Sequence, residues 1–561
     1  MIKEIISNKT GEKAILLGNE GIVRGAIEAG VQFVSTYPGT PASEIGDTFF
    51  KIQNSKSKIK NLYFEFSINE KVAMEAGAGA SFSGLRTLVG MKNFGLNVAS
   101  DFLMPLLYSG VKGGMVIAIA DDPNCWSSAQ SEENTRGFGS LAHIPIIEPS
   151  TPQECKDFTK LAFELSEKFK IPIMVRETTR VALQSGIVNL GKIVNGNRKG
   201  KFIKDPHQFS TMPPRVLEMK KELLEKIEKI RKDISEKSPI NKVYGKEFSA
   251  SSKMGIITSS VSFLYVMEAL KELNLNIPVL KLGFFNPLPE GKIKSFIKPL
   301  KKVLVVEELE PYLEKEIMRL AKDINPKLQI FGKNLLPEVG ELRPEYVIKA
   351  VSKFKNIKYQ IFQPKLPVFS KRFPQFCPGC PYWLIFRAIE KAVDVKKVIF
   401  GGEIGCYMLA FCPPFHLQDY LFCMGSSIGV GHGIKKSVSP NNKQKLISFV
   451  GDSSFFHSGI PAMINAVHNK SNPLIIVMDN STTAMTGHQP HPGTDKTGMG
   501  EETRKIKIEE IIRACGVEKI KTIDPINQKE FIKTVKTFLN NKNDKVSVII
   551  AKRPCLFINK V

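Results

Sequence analysis

The sequence predicts a multi-domain α/β protein in which two doubly wound parallel-sheet domains flank a smaller α/β domain. Three observations predict it. Short apolar runs alternate with amphipathic stretches through residues 1–185, again through 251–355, and again from 377 to 561, the βαβ rhythm of parallel sheets covered on both faces. The 561 residues suffice for three or four domains of roughly 100–200 residues each. The composition, 42% hydrophobic and 24% charged, is that of folded globular protein.

In the first block Ala14–Leu17, Val31–Thr36, Thr87–Met91, Met115–Ala120, Pro145–Glu148 and Pro172–Arg176 read as buried strands of one parallel sheet. Glu20–Ala29, Asn69–Phe82 and Pro152–Lys168 read as helices between them. From 186 to 250 the rhythm breaks around one long charged helix, Pro214–Lys237, which is expected to be a connecting arm. The second block has strands at Met254–Thr258, Val279–Lys281 and Val303–Val306; Leu282–Glu290, with Asn286, Pro287 and Pro289, is expected to be a loop. A Pro- and Lys-rich linker, 356–376, leads to the last block, with strands at Lys397–Phe400, Leu446–Val450, Leu474–Met478 and Val546–Ile550. The first and last blocks read as the same kind of doubly wound domain.

The charge balance is 79 − 55 = +24. Nucleic-acid binding would use Lys and Arg in this way, but Glu222, Glu225 and Glu228 interleave the basic run Lys220–Lys232, and no recognition helix or zinc finger is evident. A solvated surface that attracts acidic partners or anionic ligands is the expectation. No apolar stretch approaches the roughly 18–20 residues of a membrane span, and the opening MIKEIISNKTGEK lacks the apolar core of a secretory signal. A cytoplasmic protein without a membrane partner is expected. In a reducing compartment, clustered members of the nine cysteines point to metal or redox chemistry rather than disulfides.

The most specific local signal is Gly451-Asp452-Ser453 directly after one strand and Asp479-Asn480 directly after the next. Ligands of open α/β sheets bind at the carboxyl ends of strands. A carboxylate and an amide oxygen there are hard donors suited to Mg²⁺ holding a diphosphate; the plain alternative is two strand-end turns. Tyr37-Pro38-Gly39-Thr40-Pro41 also follows a strand. The loop Gly425–Gly433, which includes Ser426 and Ser427, has the spacing of a phosphate-cradling glycine loop, a weak signal alone. Cys377-Pro378-Gly379-Cys380 is open among a redox dithiol, a zinc half-site and an iron–sulfur half-site.

Taken in order, LLGNEGIVRGAIEAG, STYPGTPASEI, FSINEKVAMEAGAGASFSG, MKNFGLNVASD, ADDPNCWSSAQSEENTR, FCPGCPYW, CMGSSIGVGHG, GDSSFFHSGIPAMINAVHNK and DNSTTAMTGHQPHPGT span nearly the whole chain. Together they resemble the large subunits of the indolepyruvate type of 2-oxoacid:ferredoxin oxidoreductase. The resemblance implies a thiamine-diphosphate-binding fold whose cofactor bridges two domains. It implies Asp452 and Asn480 as Mg²⁺ ligands, with the backbone carbonyl of Thr482 as a third, although Asp479 stands where many relatives have Asn. Gly425, Ser426, Ser427, Gly451 and Ser453 then lie near the cofactor, and His488 and His491 are candidates for diphosphate or substrate contact.

Glu70 matches the glutamate that hydrogen-bonds the pyrimidine N1′ and shifts the ring to its imino tautomer, general acid–base work at a desolvated site; Glu75 is a weaker match, and an ordinary helix-start carboxylate is the alternative for Glu70. Thr40 matches the threonine that approaches the 2-oxoacid carboxylate, and Lys92 can add a positive charge; turn and cap chemistry is the alternative for both. Cys406 and Cys555 match the cysteines that join Cys377 and Cys380 around a [4Fe–4S] cluster, with zinc or free thiols as alternatives and Cys412 competing with Cys406. Cys125, Cys155, Cys423 and Cys515 lack such spacing and read as packing residues.

The implied reaction is oxidative decarboxylation of an aryl 2-oxoacid to its acyl-CoA, with coenzyme A as co-substrate. Large subunits of this type usually continue into a ferredoxin-like domain, whereas this sequence stops at Val561. Electrons are therefore expected to leave through one cluster to a separate ferredoxin-like protein. A smaller partner subunit is expected as well, in a hetero-oligomer or around a homodimer core. The competing readings are a non-oxidative thiamine-dependent decarboxylase or carboligase, and a basic scaffold or nucleic-acid binder without catalysis.

Overall fold

The computed structural model describes residues 2–56, 58–245, 252–359, 372–438, 444–540 and 545–558. Most of the expected 356–376 linker and residues 246–250 of the expected arm lie outside these. The chain forms two compact units, Met1–Lys365 and Leu366–Val561.

In the first unit a seven-stranded sheet runs in the order Phe284–Asn286, Ile146–Ile147, Ile173–Thr178, Met115–Asp121, Thr87–Lys92, Phe33–Thr36, Tyr63–Phe66. All neighbours are parallel except the first pair. Every residue of Thr87–Lys92, Met115–Asp121 and Ile173–Thr178 is buried. This is the reason residues 88–91, 115–120 and 173–175 read as apolar runs rather than alternations. Each fully buried aliphatic side chain there, such as Val116, Ile117 and Ile119, contributes about 1.5–3 kcal/mol.

Three expectations are corrected here. Ala14–Leu17 is a strand, but not of the parallel sheet: Lys13–Leu17 pairs antiparallel with Ser185–Asn189 in a separate ribbon. Ile15 and Ile187 face each other on its exposed side, so only one face of the ribbon has a core to bury. Leu282–Glu290 is not all loop. It contains the strand Phe284–Asn286, which adds antiparallel to Ile146–Ile147, with Phe284 and Phe285 buried. Three residues are too short to register as a strand beside two prolines. Finally, the arm is not only connection, since Lys242–Tyr244 adds an antiparallel edge to the five-stranded sheet Gln329–Phe331, Lys302–Val306, Met254–Ser259, Val279–Leu282, Lys242–Tyr244. Its long helix, Arg215–Ile230, is present as expected.

The second unit holds a six-stranded, wholly parallel sheet in the order Tyr420–Leu421, Val398–Gly402, Lys445–Gly451, Leu474–Asp479, Ser547–Lys552, Lys519–Ile523. An aromatic core under it includes Phe376 stacked on Phe386 and Phe400 stacked on Phe449, with ring centroids 5.7 and 6.2 Å apart. Counting strands in chain order from Phe33–Thr36 in one sheet and Val398–Gly402 in the other, both run second, first, third, fourth, sixth, fifth. The two sheets share one topology, and in each the order reverses between the first and third strands. That is the switch point where open α/β sheets bind ligands.

Candidate functional site

At the switch point of the second sheet, Asp452 directly follows the third strand. It is buried, and its carboxylate accepts from the backbone N–H groups of Ser453 and Ser481, each at 2.8 Å. Asn480, after the fourth strand, is buried too, with Oδ1 accepting from the Thr482 N–H at 3.2 Å. Ser481 between them has φ of 61°, a left-handed turn that brings its N–H back onto Asp452. Thr482 is buried, and Thr483 Oγ1 lies 3.0 Å from Ser453 Oγ. Asp452, Asn480 and Thr482 are thus brought to one edge. Asp479 faces away toward Lys552, 3.2 Å off, its carboxyl pushed up by burial and by the neighbouring Asp452.

Of the two loop histidines, His491 is the one at Asp452. Its Nδ1 accepts from the Gly493 N–H at 3.0 Å, so the proton sits on Nε2, which lies 3.2 Å from Asp452 Oδ2. His488 instead turns its ring toward Phe557, centroids 6.4 Å apart.

A buried acid that sequence reasoning missed ties the glycine turns together. Glu403, one residue past the first strand, is fully buried. It accepts from the Tyr407 hydroxyl and the Gly425 N–H, and from the Gly451 N–H at 3.3 Å. Burial pushes its carboxyl up to about 7. The usable signal was an acid immediately after the strand that ends Gly401-Gly402. Gly425, with φ of 78°, precedes the helix Ser426–Ser437, whose first turn includes the buried Ser427.

Cys377 and Cys380 form a turn closed by a 3.0 Å bond from Cys380 N to the Cys377 carbonyl. Burial pushes the Cys380 thiol up to about 11, and the Cys377 and Cys555 thiols raise it further. Cys406 is pushed up to about 12 by burial and by Cys380, Cys555 and Cys377. The four thiols therefore lie within electrostatic reach of one another. Cys555 N donates to the Asn480 carbonyl at 2.9 Å, and the buried Tyr382 feels Asp452 as well as Cys406, Cys380 and Cys555. Among the described residues, no group of three or more His, Cys, Asp or Glu side chains is close enough to hold a single metal ion.

In the first unit the corresponding edge carries Thr40 after the first strand, Glu70 after the second and Lys92 as the last residue of the third. The Thr40 loop meets Lys92: a Cβ on Gly39 would stand 2.9 Å from the Lys92 Cβ. Thr40 Oγ1 lies 3.3 Å from Ser43 Oγ, and the loop is fastened by Asn19, whose Nδ2 donates to the Pro41 carbonyl at 2.7 Å. Lys92 is buried, donates to the Ser127 carbonyl at 2.9 Å and lies 3.7 Å from Asp122; burial pulls its ammonium down to about 8 against that carboxylate. Glu70 is buried and opens the helix Glu70–Phe82, which is capped by Asn69 Oδ1 accepting from Val72 N at 2.9 Å. Glu75 is half-exposed and paired with Lys71. No helix among the described residues is long and apolar enough to cross a membrane.

The family model "thiamine pyrophosphate enzyme, C-terminal TPP binding domain" matches residues 403–551, from Glu403 to the last core strand. Indolepyruvate oxidoreductase subunit IorA of Methanothermobacter thermautotrophicus is 43% identical over 562 residues, covering 99% of this chain and 89% of its own. The same subunit of Thermococcus kodakarensis is 41% identical over 577 residues, covering 98% of this chain and 87% of its own. A solved 2-oxoglutarate:ferredoxin oxidoreductase from Magnetococcus marinus has a TM-score of 0.49 and 16% identity, covering 61% of this chain and 65% of that one.

Proposed function

The chain belongs to the indolepyruvate oxidoreductase subunit IorA family, and from that premise we propose that it is the thiamine-diphosphate-binding subunit of a ferredoxin-linked enzyme that oxidises an aryl 2-oxoacid such as indolepyruvate to its acyl-CoA. The observation that carries this reading is one hydrogen bond, from Cys555 N to the Asn480 carbonyl. It fastens the last of the four thiols to the turn that bears two hard oxygen donors. A metal-diphosphate grip and a redox centre on one sheet edge are what separates oxidation from simple decarboxylation.

The residues fit the groups. Asp452 Oδ2, Asn480 Oδ1 and the Thr482 carbonyl are oxygen donors for a Mg²⁺ that binds a diphosphate, and Glu403 keeps the Gly425 and Gly451 turns in place beneath it. Burial keeps the partly buried Cys380 and Cys406 thiols above their ordinary range; iron would draw all four cysteines into the thiolate form. When bound, thiamine diphosphate supplies the carbon nucleophile and the electron sink, and a [4Fe–4S] cluster the one-electron relay.

The chain's own groups do the rest. Glu70 holds and moves a proton at N1′ of the aminopyrimidine. The Thr40 hydroxyl and the Lys92 ammonium, still largely charged at pH 7, orient the 2-oxoacid carboxylate. Cys377, Cys380, Cys406 and Cys555 would hold the cluster, which would supply a one-electron path to a ferredoxin-like protein, with coenzyme A as co-substrate. A smaller partner subunit completes the cytoplasmic enzyme. The test is anaerobic assay of the chain with its partner, indolepyruvate and a viologen. CoA-dependent dye reduction is expected; aldehyde formed without dye reduction would assign a non-oxidative decarboxylase instead.

A further inference from the structure

The carboxyl edge of the first sheet carries one more buried side chain, which finds no partner among the described residues. Asn93 is the first residue of the helix Asn93–Ser109, directly after the third strand. It is fully buried, yet neither Nδ2 nor Oδ1 has a hydrogen-bond partner among the described residues. A primary amide brings two donors and an acceptor. Native interiors rarely leave such groups unmet, so each calls for something to meet it. The Nδ2 of Asn134 and the Oγ1 of Thr178, buried near the same edge, are also without partners among the described residues.

Three observations say what meets Asn93. The two sheets share one strand order, and Asp452 is likewise the first helical residue after the third strand of its sheet. Asn93 therefore holds in the first sheet the place that the metal-binding aspartate holds in the second. The helix it opens has seventeen residues and no side-chain cap, so its first N–H groups are free to favour a polar ligand. Two residues on, Gly95 lies beneath Glu70: a Cβ there would stand 2.5 Å from the Glu70 Cγ and 2.9 Å from Oε1. The turn that bears Asn93 is thus the floor on which the ring-activating acid rests.

We propose that Asn93 binds the aminopyrimidine end of thiamine diphosphate, with its carboxamide against the edge formed by the ring amine and the adjacent ring nitrogen. This rests on the reading given under Proposed function. A carboxamide offers a donor and an acceptor side by side, complementary to an amidine edge. A substrate carboxylate would meet Nδ2 and leave Oδ1 as it was.

The test uses the full chain stripped of cofactor, with Asn93→Leu and the same-sized Asn93→Asp. Melting of the apo-protein is measured first, then affinity for two probes in the presence of Mg²⁺: thiamine diphosphate, and inorganic pyrophosphate, which lacks the ring. Asn93→Leu removes an unmet polar group, so its apo-protein should melt no lower than wild type. Both variants should bind thiamine diphosphate at least about tenfold more weakly and bind pyrophosphate as wild type does. Unchanged thiamine diphosphate affinity in either variant, or an apo-protein of Asn93→Leu that melts well below wild type, overturns the proposal. Weaker binding of the 2-oxoacid alone overturns it too, by assigning the carboxamide to substrate. Should Asn93→Leu not fold, Asn93→Asp decides on the two affinities. Failure of the wider reading looks different, because wild type would then bind neither probe.

Discussion

Replacing Glu403 by alanine should loosen the glycine turns of the second sheet, and the structure sets the size of the effect. Three donors converge on this carboxyl. Without it the Tyr407 hydroxyl keeps the Ile404 carbonyl at 3.1 Å, and the Gly451 N–H keeps the Tyr407 oxygen at 2.8 Å. The Gly425 N–H, bonded to Glu403, is left buried without an acceptor. One orphaned N–H costs about 1–3 kcal/mol, and the cavity left by the lost side chain about 2 kcal/mol more. A local loss of about 3–5 kcal/mol follows. Because a chain of two units need not unfold in one step, the fitting assay is amide hydrogen exchange across 425–437 and 451–454. A loss of about 3 kcal/mol raises exchange there about a hundredfold. Glu403→Gln keeps an acceptor and the volume. At pH 6, below the carboxyl's value of about 7, it should change exchange little. Exchange in Glu403→Ala equal to wild type across both segments would refute the reasoning.

Three other outcomes are expected. Asp452→Ala should abolish Mg²⁺-dependent thiamine diphosphate binding in a calorimetric titration, and retained affinity would remove the metal assignment. Cys555→Ala should lower iron content and the broad visible absorbance of anaerobically purified protein; unaltered iron would mean that another ligand is used. Burial holds the Glu177 carboxyl up at about 8 in the folded protein, against an ordinary 4.5. Its stabilisation is therefore complete below about pH 4.5 and lost as pH rises through 8. The gap sets a ceiling of about 5 kcal/mol. Glu177→Gln should flatten the fall in melting temperature between pH 5 and 8, and the same slope in the variant would contradict this.

How much of this was legible depended on what each residue had to do. Strands buried on both faces, such as Met115–Asp121 and Leu474–Asp479, announce themselves as unbroken apolar runs. Strands that bury one face or span two or three residues do not, which is the reason Tyr63–Phe66, Tyr420–Leu421 and Phe284–Asn286 escaped the reading. The strand-end turns of Asp452 and Asn480 were visible because their chemistry and spacing are local. The role of Glu403 was not, since its partners Gly425 and Gly451 lie 22 and 48 residues away. Asn93 was hidden differently: nothing in Met91-Lys92-Asn93 distinguishes a satisfied amide from one without a partner. The choice of His491 over His488 at Asp452 likewise rests on a loop path that composition does not dictate.

In the proposed reading, Glu70 activates the aminopyrimidine ring of bound thiamine diphosphate. Deuterium exchange at the thiazolium C2 of protein-bound thiamine diphosphate, compared between wild type and Glu70→Gln, tests it most directly. The account predicts that Glu70→Gln still binds the cofactor with Mg²⁺ but exchanges about 10²–10⁴-fold more slowly. Exchange as fast as in wild type would contradict it.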